Sequence, residues 1–279
     1  EFLSCLLNTN IGFQPKEIEI MFDRCDVDKT GLVSFKAFVP ICFDLLVEMT
    51  SAEMIEEKNM RKRSIQAIDG INVMVKNLSK KDFDDLQKFY RFNLINSCTG
   101  YKSANLIGSI SKEGVENVAV FSSITHLGSN PAMLGYILRP TTVPRNTFKN
   151  IKETKLFTVN HIVSEIINDA HHTSAKYPEE ISEFDKTNLE QEYKDGCKAP
   201  FVKGSPVQLV CKYLNEYNIE ENGTILVVAS IEELYFNEDL ISDSGFLQLD
   251  KGNVVTVNGC DGYALPSLLN RFEYQRPKK

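Results

Sequence analysis

The sequence predicts a mainly β protein, a barrel of short strands with short helices, behind a small all-helical N-terminal segment. Three observations point there. From residue 104 onward, short apolar runs separated by turn residues replace any sustained helical period. Residues 16–57 instead carry apolar side chains at helical spacing around a polar loop. Neither G-x-G-x-x-G nor a P-loop occurs, so a dinucleotide held in the Rossmann manner is not expected.

In chain order, the N-terminal segment is a helix, a loop and a helix, with Ile18, Met21, Phe22 and Cys25 at helical spacing. The loop reads Asp26-Val27-Asp28-Lys29-Thr30-Gly31-Leu32-Val33-Ser34-Phe35-Lys36-Ala37 and resembles an EF-hand calcium loop. The resemblance implies Asp26, Asp28 and Thr30 as side-chain ligands, the Leu32 carbonyl, and Ser34 through a water. Gly31 would make the sharp turn. Ala37 stands where a bidentate Glu is needed, so calcium is not expected to be held and a helix pair kept for packing is the preferred reading. Glu1-Phe2-Leu3 looks like the end of a preceding loop, so the chain is expected to begin inside a domain. Residues 1–57 would then need a protein partner, because so small a core buries too little area.

Residues 58–75 read as a linker opened by the basic run Lys58-Asn59-Met60-Arg61-Lys62-Arg63. Residues 76–279 read as a complete domain. Ser79-Lys80-Lys81-Asp82 forms a capping box, with Phe83, Leu86 and Phe89 expected along one face of the helix behind it. Strands are expected at Ala104–Ile110, Asn117–Ile124, Met133–Leu138, Leu156–Ile162, Pro206–Tyr213, Thr224–Tyr235 and Asn253–Val257. Short helices are expected near Arg145–Glu153, Val163–Ala170 and Leu265–Arg271. Asn222-Gly223-Thr224 matches a glycosylation sequon, but Asn-Gly between two strand-like runs reads as a hairpin turn.

The net charge of −7 is spread evenly, at −4 over residues 1–73 and −3 over residues 74–279, so neither part has the basic excess that nucleic-acid binding needs. No run of eighteen apolar residues and no basic-then-apolar leader is present, so neither a membrane span nor a secretory signal is expected. The seven cysteines are odd in number and widely spaced, which reads as reduced thiols in a cytoplasmic protein.

One stretch carries chemistry: Arg139-Pro140-Thr141-Thr142-Val143-Pro144-Arg145-Asn146-Thr147-Phe148. A strand ends and a helix begins, with Pro144 expected at the first helical position. Free N–H groups at a helix N-terminus attract anions, and arginines bind phosphate through paired N–H groups. The stretch is either a phosphate cradle or a capped helix beside surface arginines.

Lys102-Ser103-Ala104-Asn105-Leu106-Ile107-Gly108, Asn117-Val118-Ala119-Val120-Phe121-Ser122-Ser123, Asn130-Pro131, Arg139-Pro140-Thr141-Thr142 and Phe157-Thr158-Val159-Asn160 occur in that order. Together they resemble the flavin reductase-like, FMN-binding split-barrel family over about residues 76–277. The resemblance implies a six-stranded Greek-key barrel, a homodimer, and FMN at or near the subunit interface. It places Ser122, Ser123, Ile124 and Thr125 at the isoalloxazine edge. It gives Arg139, Thr141, Thr142, Arg145, Asn146 and Thr147 the ribityl and phosphate oxygens, with Lys102 and Ser103 as weaker phosphate candidates. No catalytic side chain is implied: the flavin accepts hydride, and NAD(P)H or another donor stacks on its open face.

His126 and His161 are expected near the pocket, His171-His172 at a helix end, and the His171–Tyr177 stretch with Lys176 as a cover over the flavin. No histidine set has metal-ligand spacing. The function expected is an NAD(P)H-dependent flavin reductase. A flavoprotein electron carrier and a calcium-responsive or scaffold-binding module are the alternatives. Residues 1–73 could equally be native to the flavin domain, a fusion, or a joining of unrelated pieces.

Overall fold

The structure is a computed structural model that describes Lys29 and residues 75–277. The EF-hand-like reading, with Asp26, Asp28, Thr30, Leu32 and Ser34, lies outside the described residues, as does the basic run at 58–63. The unit that begins at Ser79 is described by itself.

Its elements in chain order are α1 (Lys80–Asp85), α2 (Lys88–Ser97), β1 (Lys102–Ser103), β2 (Asn105–Ile110), β3 (Glu116–Phe121), β4 (Thr125–Ser129), β5 (Ala132–Leu138), α3 (Asn146–Thr154), β6 (Leu156–His161), α4 (Ile167–His172), β7 (Gln191–Glu192), β8 (Phe201–Val202), β9 (Val207–Ile219), β10 (Thr224–Phe236), β11 (Thr256–Asn258) and β12 (Gly262–Ala264). Short 3-10 turns lie at Ser164–Ile166, Glu183–Lys186, Glu238–Leu240 and Leu249–Gly252.

The main sheet is antiparallel throughout, in the order β3-β2-β6-β9-β10-β5-β4. It has seven strands where six were expected. The strand pattern read from the sequence places no strand at Thr125–Ser129, where Gly128 weakens strand preference. Pairing with β5 makes it β4, with an irregularity between His126 and Gly128.

Strand β2 explains why the pattern there is apolar without alternation: both its faces are covered. Ile107 joins a core with Tyr136, Phe157, Val159, Val227 and Ile151 of α3. Leu106 joins a second core with Val118, Ile162, Ala170, Phe184 and Val257. Tyr136 sits between Phe121 and Phe157, edge-on to each at 5.2 and 6.1 Å. Gly108 of β2 is required by close approach: a Cβ there would lie 2.0 Å from the Pro200 carbonyl oxygen.

The hairpin turn is where Asn222-Gly223 placed it. Gly223 has φ +70°, and both Asn222 and Gly223 donate backbone N–H groups to the Ile219 carbonyl. The capping box also forms, with Asp82 Oδ2 accepting from the Ser79 N–H at 2.7 Å.

Three local expectations fail. Leu86 is extended and ends α1, so Phe83, Leu86 and Phe89 do not share one helix face. Pro144 precedes the N-cap, which is Arg145, and α3 starts at Asn146. Residues 265–271 form no helix. Pro266 cannot donate to a helix ladder. The segment is instead pinned at long range, with Leu268 donating its N–H to Asp250 at 3.2 Å and the Arg271 guanidinium 4.0 Å above the Phe246 ring. No helix among the described residues is long and apolar enough to cross a membrane.

Candidate functional site

A cleft of about 1020 Å³ opens between the end of β3, the β5–α3 connection, α2, and the segments after α4 and β11. Its polar wall is built by α3. This helix has no side-chain N-cap bond, so the N–H groups of its first turn are not occupied by a capping side chain. Arg145, Asn146 and Thr147 of that turn line the cleft, and Arg139 at the end of β5 joins them.

The two arginines are held differently. Arg139 is exposed, with its guanidinium 5.8 Å from the Phe92 ring and Nη2 3.5 Å from the Cys260 thiol. Arg145 is partly buried, and its Nη2 donates to the Pro140 carbonyl at 3.3 Å. Its Nε is buried and has no partner among the described residues. Burial, and then the charge of Arg139, lower the Arg145 pKa. The site thus concentrates positive charge and unspent N–H donors at one helix end, which fits a phosphate-bearing cofactor.

Of the other residues expected here, Lys102, Ser122 and Ser123 also line the cleft. Lys102 Nζ donates to the Asn96 carbonyl at the end of α2, at 2.8 Å. Ser123 is engaged with β5: it donates to the Ile137 carbonyl at 2.9 Å and accepts the Ile137 N–H at 3.1 Å. Asn146 donates to the Tyr177 carbonyl at 3.5 Å, and the Thr147 hydroxyl accepts from Asn117 at 2.9 Å.

Ser103, Ile124, Thr125, Thr141 and Thr142 do not line the cleft. Ser103 donates to the Ile124 carbonyl at 2.9 Å, and the Ile124 side chain packs on the main core. Thr125 is exposed at the start of β4, and Thr141 and Thr142 are exposed in the turn before α3.

The histidines are redistributed. His126 pairs with Ser129 at 3.1 Å, and neither it nor His161 lines the cleft. Burial holds the His161 imidazole down at about 4, hence neutral. His171 does line the cleft, 3.3 Å from the Tyr263 hydroxyl. Ser174, Ala175, Lys176 and Tyr177 border it as well. Among the described residues no group of three or more His, Cys, Asp or Glu side chains is placed to hold a metal ion.

Sequence reasoning missed Phe92, Ile95 and Asn96 of α2, together with Asn117, Glu183, Cys260 and Tyr263. They come from four separate stretches of chain. The only local signal was Asn117, a polar residue in an otherwise apolar strand run.

The architecture is an antiparallel split barrel with a cationic cleft beside one helix N-terminus. The flavin reductase like domain model matches residues 102–254, more than half of the chain. The structure of a proposed flavin reductase with a split-barrel domain from Shewanella frigidimarina NCIMB 400 is similar, at 38% identity and TM-score 0.70, over 72% of this chain and 100% of that one. Nitrilotriacetate monooxygenase component B from Bacillus cereus shares the fold at 18% identity and TM-score 0.61, over 73% of this chain and 100% of that one. Flavoredoxin of Desulfovibrio vulgaris (Miyazaki F) shares it at 17% identity and TM-score 0.54, over 62% and 91%. The chain belongs to the flavin reductase-like domain family.

Proposed function

We propose that this protein binds FMN in the cleft and passes reducing equivalents from NAD(P)H to an acceptor, as a flavin reductase. The observation that carries the reading is the meeting of Arg139, Arg145 with its unpartnered Nε, and the uncapped start of α3 on one cleft wall. When bound, FMN supplies the hydride-accepting chemistry; the residues supply position and field.

In this reading Arg139, Arg145 and the first N–H groups of α3 hold the phosphate. A single compact cradle, with no dinucleotide motif, favours FMN over FAD. Ser122 and the backbone of Ser123 meet the ring edge, since the Ser123 hydroxyl is already spent on Ile137. Phe92 and Ile95 present apolar surface that excludes water from one side. The compartment proposed is the cytoplasm, on the odd, widely spaced cysteines. A homodimer is proposed too. Exposed Leu214 and Tyr217 on β9, and Leu269 and Phe272 near the C-terminus, offer apolar surface for it.

The test is the visible spectrum of the purified chain and its titration with FMN, followed by anaerobic addition of NADH. Stoichiometric binding and bleaching by NADH support the reductase. Binding without bleaching by NADH or NADPH, but with bleaching by dithionite, would point to an electron carrier. Failure to bind FMN would remove the proposal.

A further inference from the structure

The cleft has a second, acidic feature. Glu183 lines it and is only 5% exposed. One oxygen, Oε2, accepts the Val118 N–H at 3.1 Å on the outer edge of β3, the strand that ends the sheet. The other, Oε1, accepts no side-chain or backbone donor of another described residue. Among the described residues Glu183 belongs to no ion pair. Burial raises its pKa, opposed by bonds from its own and the Val118 N–H. A carboxylate that lines the cleft keeps acceptor capacity beyond these two N–H groups.

Its place narrows the donor. Val118 follows Asn117, and the Asn117 amide donates to Thr147 in the first turn of α3. The acceptor of Glu183 therefore sits one strand residue beyond the link to the proposed phosphate cradle. A carboxylate repels phosphate and accepts from a neutral hydroxyl. FMN carries hydroxyl groups on its ribityl chain, directly next to its phosphate. We infer that Glu183 is a binding residue of the cleft that accepts a hydrogen bond from a ribityl hydroxyl of the flavin, with Asn117 and Thr147 fixing its distance from the phosphate end. The inference rests on the proposed flavin reading. The competing role is purely structural, closing the open edge of β3 through Val118.

Glu183→Gln separates the two roles. The Gln carbonyl still accepts the Val118 N–H, so the edge of β3 remains satisfied, while an NH₂ donor replaces the second carboxylate oxygen. Binding of lumiflavin, riboflavin and FMN is measured by fluorescence quenching on the full chain and the variant, with thermal unfolding as the check on folding. Lumiflavin has the ring but no ribityl chain. Riboflavin and FMN should both weaken by ~10- to 100-fold, the effect of losing a hydrogen bond to a charged group, with lumiflavin unchanged. Should E183Q not fold, E183D keeps the charge but draws the acceptor back by one methylene, and the same selective loss is expected.

Wild-type riboflavin affinity in the folded variant, or equal loss of lumiflavin, overturns the assignment. So does unchanged flavin affinity with a raised KM for NADH, which would give the hydroxyl to the ribose of the electron donor. A wild-type chain that binds none of the three flavins is a different result: it removes the flavin reading itself.

Discussion

Two polar regions of this molecule lie close in sequence and differ in how their hydrogen bonds are spent. One runs through β6 to β8 and β9 and is closed. Thr158 donates to the Pro200 carbonyl at 2.6 Å, and Asn160 donates to the Leu106 carbonyl at 3.2 Å and accepts the Val202 N–H at 3.0 Å. Gln208 donates to the Val202 carbonyl and to Glu192, both at 2.8 Å. Thr158 and Asn160 are fully buried and Gln208 almost so. The other region is the cleft wall, where among the described residues the Arg145 Nε has no partner and the start of α3 no side-chain cap. Spent bonds hold this part of the barrel together; the unspent ones on the cleft wall are what a ligand can use. A buried unsatisfied group costs about 1–3 kcal/mol until something binds it.

This contrast can be broken at several points. Gly108→Ala should have the largest effect, because its Cβ would fall 2.0 Å from a backbone oxygen that Thr158 also bonds. Overpacking of this kind costs ~3 kcal/mol, and the backbone contact leaves little room to relax. Chemical denaturation should show a folded variant of much lower midpoint, or none. A variant as stable as the wild type would mean the β2–β8 junction is looser than described.

The closed region should also resist charge. His161 follows Asn160, and burial places its pKa at about 4 against an ordinary value near 6.5. The unfolded chain therefore takes up a proton as pH falls below ~6.5, while the folded chain does not. Stability is complete above that value and declines toward pH 4 by up to ~3 kcal/mol. Denaturation at pH 7 and pH 4.5 measures the loss, and His161→Gln should make the decline shallower. An identical acid limb in the variant would place the sensitivity elsewhere.

The open region should respond in ligand binding rather than in folding. Arg145→Ala removes the orphaned Nε together with its charge, so the unfolding midpoint of the ligand-free protein should move little. FMN affinity should fall by ~10- to 100-fold, with a smaller change for riboflavin, which lacks the phosphate. Equal losses for both flavins would show that Arg145 does not hold phosphate. The smallest effect is expected at Lys149, whose exposed pair with Glu179 at 2.8 Å belongs to neither region. Lys149→Ala should leave both the midpoint and the FMN affinity within error. A clear change would extend the site along α3.

The same contrast explains what could be read from residues in order. Closed structure writes local patterns. The apolar run of β2, the Asn222-Gly223 turn and the Ser79–Asp82 capping box each state their conformation within a few residues, and each forms. The helix start beside Arg139 and Arg145 was legible because these residues and the helix start are close in sequence. Local patterns failed where distant contacts decide the conformation. Strand β4 exists through pairing with β5, and residues 265–271 stay out of a helix because Asp250, Ser244 and Phe246 hold them.

The sequence by itself determined the barrel class, the stretches of chain that become its main strands and the cationic helix start, because hydrophobic period, turn chemistry and adjacent charge are all short-range properties. Only the tertiary structure decided which residues share the cleft. It set Thr141 and Thr142 in an exposed turn outside the cleft lining and brought Glu183, Tyr263 and α2 into it. Those meetings depend on strand order and on which edge of β3 is left open, and no periodicity in a linear chain encodes which distant loop covers an open edge.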